Sequence, residues 1–425
     1  MKKKVGVDDL KRGMYVSALD RPWRDTPFLF QGFEITDGEQ LAQLKQHCKY
    51  VYIDPDYQTG TAPQVLTPPL ARTPSAGPEE TDPEPVLRII AEDGTAHRPR
   101  RVYRDKTTIE PEAEVIRETH AQATMLIHTI MEDVHLGKSI DTAGAKKAVG
   151  RMAKSVLRNP DALVCFAQLK KRDDYTALHC LRVSILALAF GRHLGFDEAA
   201  LNLLGIGALL HDIGKMRVPD TILNKPGKLT DREYEIMKSH VPLGEEILKR
   251  TNAIPVKALE VARLHHERYN GKGYMENLKG DQITEFGLIS AIVDVYDAIT
   301  SDRVYEDGIA SLEALKKMYE LRGRDFHPEL LQQFIQCIGI FPIGSVVVLN
   351  TSEVGVVRTL NREQRLKPQV MLVMKPDKTR YPAVRAVDLA RETASTGKPY
   401  EITKVVPPAM FNIQPLDYLP VRPVA

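Results

Sequence analysis

From Pro111 to about Cys337 prolines nearly vanish and apolar residues recur at spacings of three and four, as at Met125, Ile127, Ile130, Met131 and Val134. A pattern of that period, held over so long a stretch, predicts amphipathic helices packed against one another. It is punctuated by RNPD, HLGFD, NKPGKLTD and NGKGY, turn signals placed where one helix stops and another begins. TDREYEIM carries Thr230 three residues before Glu233, the capping-box spacing that starts a helix.

The flanks read differently. From Val5 to Asp54, short alternating stretches such as MYVSAL and KYVYID flank a helical segment, GEQLAQLKQHC, which predicts a small α+β unit. Between Gln58 and Arg100 stand eight of the 28 prolines, among Thr, Ser, Ala and Glu, the composition of a disordered or extended linker. After FPIG, the runs VVVLN, GVVRTL and QVMLVMK are β-rich and separated by polar turns. The expected organisation is multidomain: a small α+β N-terminal domain over 1–57, a proline-rich linker over 58–110, an all-α core over 111–340 and a small β-rich C-terminal unit over 341–425.

With 58 basic against 56 acidic residues the formal net charge is +2, so no global field draws the chain to long nucleic acid or an anionic membrane, and a polyanionic ligand needs a local site. No run approaches the roughly 18 apolar residues of a membrane span, and the basic N-terminus has no apolar segment behind it. A cytoplasmic location is expected. Cys48, Cys165, Cys180 and Cys337 are far apart with no CxxC pair, which predicts reduced thiols and neither a disulfide framework nor a cysteine zinc site.

The chemistry concentrates at LLHDIGK, residues 209–215, where two leucines lead directly into His211 and Asp212. Burying an unpaired carboxylate or imidazolium costs several kcal/mol, roughly, unless a metal or partner compensates. Only twelve histidines occur in the chain, yet the helical region holds His179, His211, His240, His265 and His266 on or beside apolar stretches, joined by Asp212 and Asp294. A helical bundle would point them to a common place, and imidazole with carboxylate suits iron, manganese or zinc. Seven donors exceed one site that keeps room for water, whereas two ions sharing Asp212 use them all. Two such ions lower the pKa of a bridging water and clamp an in-line displacement at phosphorus. Lys215, three residues after Asp212, would share its helix face and neutralise a phosphate oxygen.

HDIGK, VPDTILNKPGKLTDREYEIMKSH, HHERYNGKGY and VDVYDAITSDRVY, in that order across about 170–340, resemble the HD-GYP domain, a branch of the HD metal-dependent phosphohydrolases. VDDLKRGMYVSALDRPWRDTPFLFQGF resembles the small domain often found upstream of it. The resemblance implies an all-helical HD-type core and hydrolysis of cyclic di-GMP to pGpG, in some cases GMP, with two iron or manganese ions. It assigns one metal to His179, His211, Asp212 and Asp294 and the other to His240, His265 and His266, with Asp212 bridging. Asp212 and Lys215 become the catalytic pair, and Lys215, Gly273, Tyr274 and Arg303 the substrate contacts. Tyr175 stands where some members carry a glutamate for a third metal, so two are expected.

Other positions depart from the family. GYP reads Gly273, Tyr274, Met275; the aspartate of the preceding DG is Asn270; a usual arginine is Leu288; and RPYR or RPYK reads Arg303, Val304, Tyr305, Glu306. An acid there repels a dianionic ligand by about 1 kcal/mol when solvated. Two alternatives therefore stand beside the phosphodiesterase: a degenerate domain that binds cyclic di-GMP, or docks a cyclic di-GMP synthase or another signalling protein, without hydrolysis, and a dimetal hydrolase of another cyclic nucleotide. Gly271 and Gly273 are read as turn formers with access to positive φ. Tyr274 is either packing or a guanine platform, Trp23 a core anchor, and HRPRRVYR (97–104) a solvated linker end rather than a nucleic-acid contact.

Overall fold

A computed structural model of the chain describes residues 3–21, 33–35, 38–53, 101–167, 175–225, 227–251, 253–301 and 309–419. Trp23, the proline-rich stretch through residue 100, the Tyr175 side chain, and Arg303, Val304, Tyr305 and Glu306 lie outside the described residues.

At the N-terminus β1 (Lys3–Gly6), β2 (Tyr15–Leu19), β3 (Phe33–Glu34) and β4 (Tyr50–Ile53) form an antiparallel sheet in the order β1-β4-β2-β3, with α1 (Gly38–His47) before the last strand. KYVYID alternates as expected, Val51 and Ile53 turning inward, whereas a register shift between Val16 and Ala18 breaks the alternation of MYVSAL, so that Val16 and Leu19, three residues apart, turn inward. With Val7, Leu10 and Leu44 these four make a small core of their own.

The helical part begins with α2 (Ile109–His135), α3 (Thr142–Arg158) and α4 (Pro160–Ala167), and continues through α5 (Tyr175–His193) and α6 (Glu198–Leu210). After two short helices, α7 (Asp220–Leu223) and α8 (Asp231–Lys238), come α9 (His240–Arg250), α10 (Val256–Leu264), α11 (Glu285–Thr300), α12 (Ser311–Glu320) and α13 (Pro328–Ile338). Side-chain caps fix several starts: Asp141 accepts from Gly144 N at 2.8 Å, Asp197 from Ala200 N at 2.8 Å, and Thr230 with Glu233 closes the capping box its spacing predicts. α5 and α6 pack along each other, α10 lies against α6, and α11 lies against α5 and α10. The apolar stripes of these helices meet in one core, with Ile185, Leu188, Leu204, Leu209, Val261, Ile292 and Val295 buried in it. No described helix is long and apolar enough to cross a membrane.

The C-terminal strands β5 (Val346–Leu349), β6 (Val354–Thr359), β7 (Gln369–Met374), β8 (Arg380–Asp388) and β9 (Ile402–Val406) form an antiparallel sheet in the order β8-β7-β6-β5-β9. Its buried residues, among them Val347, Val356, Val370 and Val405, join the helical core rather than a separate one. Polar contacts reinforce the junction: Arg362 pairs with Asp105 at 2.8 Å and with Asp161 of α4, and Arg358 with Glu110 of α2 at 2.7 Å.

Candidate metal centre

Five places on this scaffold deliver the seven donors. His179 sits in the first turns of α5, His211 and Asp212 follow the last residue of α6, His240 opens α9, His265 and His266 follow α10, and Asp294 lies mid-way along α11. α6 ends at Leu210, and Ile213–Arg217 run on as a 3-10 turn, so Lys215 does not share a helix face with the HD pair as its spacing predicts. The tighter turn still brings Lys215 Nζ to 2.5 Å from Asp212 Oδ2.

Ligand atoms of His179, His211 and Asp294 lie within 4.8 Å of one another, and so do those of Asp212, His240, His265 and His266. The Asp212 carboxylate stands between the groups. Its Oδ2 is 3.4 Å from His211 Nε2 and 3.7 Å from His179 Nε2, while Oδ1 is 3.4 Å from His240 Nε2 and 3.8 Å from His265 Nε2. Asp294 Oδ1 is 3.0 Å from His179 Nε2 and 3.8 Å from His211 Nε2. His266 is half-buried and the other six are buried.

His211 Nε2 and Asp212 Oδ1 are buried with no hydrogen-bond partner among the described residues. Orphaned polar atoms of that kind call for a missing partner, and borderline divalent ions fit this donor set. Burial pushes His240 down to about 4 and His265 to about 3, and takes His266 well below its ordinary value, so these imidazoles are neutral bases. Burial also opposes charge on the carboxylates, but Lys215 and His211 hold Asp212, and His179 holds Asp294, below the usual carboxylate range. At His211 burial opposes protonation, yet the Asp212 carboxylate raises the imidazole well above its ordinary value, so this corner favours positive charge. Neutral imidazole with ionised carboxylate is the state that binds a divalent cation.

Residues 2–145 match a family described as a domain of unknown function (DUF3391), and residues 161–330 match the HD domain. A Pseudomonas aeruginosa protein, cyclic di-GMP phosphodiesterase PA4108, is 32% identical over 422 residues, which cover 98% of this chain and 95% of that protein. The chain belongs to the HD-GYP family. A cyclic di-GMP phosphodiesterase of Thermotoga maritima is 40% identical to this HD-GYP protein over 167 residues, 39% of this chain and 45% of that one. The 3′3′-cGAMP-specific phosphodiesterase 2 of Vibrio cholerae is 36% identical over 169 residues, 40% of this chain and 32% of that one.

This HD-GYP site also uses residues that sequence reasoning passed over. Asp297, one turn beyond Asp294 on α11, places Oδ2 2.8 Å from His179 Nδ1 and accepts from Arg182 Nε at 2.8 Å. Two carboxylates three residues apart on so apolar a helix were the available signal. The thiol of Cys180, read only as a buried cysteine, lies within 4.8 Å of donor atoms of His211 and Asp212. Glu267, inside HHERYNGKGY, is buried and accepts backbone N–H bonds from Glu276 at 2.9 Å and Leu278 at 3.0 Å.

The loop after the histidine pair partly departs from its reading. Gly271 has the expected positive φ, +79°, but Gly273 does not need one. Gly273 is required by close approach: a Cβ there would stand 2.5 Å from Glu267 Cα and 2.6 Å from Arg268 N. Two non-glycine residues of the loop also take positive φ, Asn277 at +53°, in the left-handed region asparagine tolerates, and Met275 at +98°. Asn270 Nδ2 donates to the buried Asp325 Oδ1 at 3.2 Å. Burial raises Asp325, so an aspartate at 270 would set a second carboxylate against it. Tyr274 stacks on His266, with ring centroids 4.5 Å apart and planes 26° from parallel.

Proposed function

We propose that this chain is a dimetal phosphodiesterase that opens cyclic di-GMP to pGpG, with GMP as the product of a second cleavage. The observation that carries the reading is the Asp212 carboxylate, whose two oxygens face two different groups of histidines. His179, His211, Asp294 and Asp212 would hold one ion, and Asp212, His240, His265 and His266 the other. Iron(II) or manganese(II) suits these nitrogen and oxygen donors. Bound ions would activate a water and polarise the phosphodiester.

The remaining work falls to the chain's own groups. Lys215, on the rim with its side chain 19% exposed, supplies a positive charge for a phosphate oxygen. Arg303 would supply a second cation for the phosphate, and Gly273 and Tyr274 would meet the substrate after the histidine pair. Water oxygen bonds to phosphorus, the bond to the ribose oxygen breaks, and the water's proton leaves with that oxygen. The near full-length likeness to PA4108 supports cyclic di-GMP as substrate.

The loop favours one second reading. The course at Met275 is one that proline, present in the GYP motif, cannot follow, and some relatives are named for 3′3′-cGAMP. The test is turnover by anaerobically purified protein loaded separately with iron(II) and manganese(II), offered both dinucleotides, with products resolved by chromatography. Formation of pGpG or GMP, lost in Asp212→Ala, is expected. Preference for 3′3′-cGAMP establishes the second reading, and no product from folded, metal-occupied protein overturns hydrolysis in favour of a binding role.

A further inference from the structure

The five imidazoles are not held in the same way. His211, His240 and His265 each place Nδ1 against the carbonyl oxygen three residues earlier, Ala208 at 2.7 Å, Met237 at 2.7 Å and Ala262 at 2.9 Å. His179 places Nδ1 against Asp297. In each case one ring nitrogen is occupied and Nε2 is aimed at the site, the usual way a metal-binding histidine is oriented. None of the described residues hydrogen-bonds the His266 ring.

Contact with other rings takes that role. His266 lies between His265, at a centroid distance of 4.0 Å, and Tyr274, at 4.5 Å and nearly parallel. Tyr274 in turn meets Tyr234 edge-on at 6.3 Å. The tyrosine is set there by its loop. Glu267, next in sequence to His266, gathers the N–H groups of Glu276 and Leu278, and Glu276 pairs with Arg263 of α10. Gly273 lies directly on the backbone of residues 266–268, and Asn270 ties the loop's start to Asp325. So many constraints on so short a segment fix the Tyr274 ring against one face of the imidazole.

We propose that Tyr274 is a positioning residue for His266, its ring doing what a hydrogen bond does for the other four imidazoles, and that Glu267 is the anchor that keeps it there. The proposal rests on the two-metal reading, in which His266 is a ligand. It gives Tyr274 a role that is present without substrate, unlike a platform for a guanine base. Losing an outer partner of a ligand typically lowers metal affinity by about 10–100-fold.

The test is equilibrium titration of the demetallated full-length chain with manganese(II), followed by electron paramagnetic resonance, beside the melting temperature of the metal-free protein. Tyr274→Ala is expected to weaken one of two manganese equivalents at least tenfold with the metal-free melting temperature unchanged, while Tyr274→Phe, which keeps the stacked ring, retains wild-type affinity. Glu267→Ala should weaken the same equivalent, and Glu267→Gln, which keeps an acceptor oxygen, should do so less. If Glu267→Ala does not fold, the Tyr274 pair decides alone. Two equivalents bound with wild-type affinity by Tyr274→Ala, with only dinucleotide binding reduced, overturns the proposal and leaves the two-metal reading standing. A wild-type chain that takes up a single equivalent removes that reading and the proposal with it.

Discussion

Asp297 Oδ2 lies 2.8 Å from His179 Nδ1 while the same carboxylate accepts Arg182 Nε at 2.8 Å, so one buried group on α11 holds two residues of α5 one turn apart. The arrangement fixes the His179 ring and leaves Nε2 for the site. Asp297→Asn removes the charge and one acceptor oxygen. Affinity for one metal equivalent should fall on the order of 10–100-fold, the other being unaffected. Manganese titration checks this, and unchanged affinity in a folded variant would show that Asp297 does not orient the ligand.

Gly214 is where the HD turn touches α9. An added Cβ would overlap the His240 carbonyl oxygen and stand 2.5 Å from Gly244 N. Both obstacles are backbone, so Gly214→Ala must push the start of α9, and with it His240, away from Asp212. Overpacking of this kind costs about 1–3 kcal/mol. Denaturant unfolding should show that loss, together with weaker binding of the equivalent that His240 serves. A variant equal to wild type in both would mean that the turn has room to yield.

The helical period and the Thr230 capping box were legible in the sequence because each is a local pattern, whereas the seven candidate donors came from the concentration of histidines on apolar stretches and from the family resemblance. Asp297 was not legible, since its meaning depends on His179, 118 residues earlier. The 3-10 turn after Asp212 was missed for a similar reason: crowding against α9 accompanies it, and a spacing of three residues fits either helix. β8 escaped notice because RYPAVRAVD exposes most of its side chains, and its Pro382 is tolerated because β8 is an edge strand; β9 escaped because ITKVV is short and buries only Val405 and Val406. The shared core of the helices and C-terminal sheet also could not be read from a change of texture at FPIG, which marks a change of element and says nothing of what the element packs on.

Two histidines away from the site predict how stability follows pH. Burial pushes both His120 and His193 from 6.5 down to about 4, with the Arg182 charge adding to the effect at His120. The unfolded chain therefore takes up these protons near pH 6.5, and the folded one only near 4. Stability from this source is full above the unfolded value, falls as pH drops between the two, and falls no further below the folded value. The limit is on the order of 3 kcal/mol for each group. Urea unfolding across that window should show the loss, with a shallower slope in His120→Phe. An identical slope would mean that His120 is protonated in the fold as readily as in the unfolded chain.

Met275 decides whether the loop departure is decay or design. Its φ of +98° is open to glycine and strained for methionine, while proline, fixed near −65°, cannot adopt it. Restoring the family's residue with Met275→Pro should therefore harm this protein. The loop must leave its course, Glu276 must move relative to Glu267 and Arg263, and Tyr274 must lift from His266. The expected result is a loss of manganese affinity matching that of Tyr274→Ala, with dinucleotide turnover falling alongside. Met275→Gly, which accepts the same φ without strain, should keep wild-type affinity. Should Met275→Pro bind metal and turn over substrate as well as wild type, the loop has a second course of equal energy, and the positive φ is not what holds Tyr274 in place.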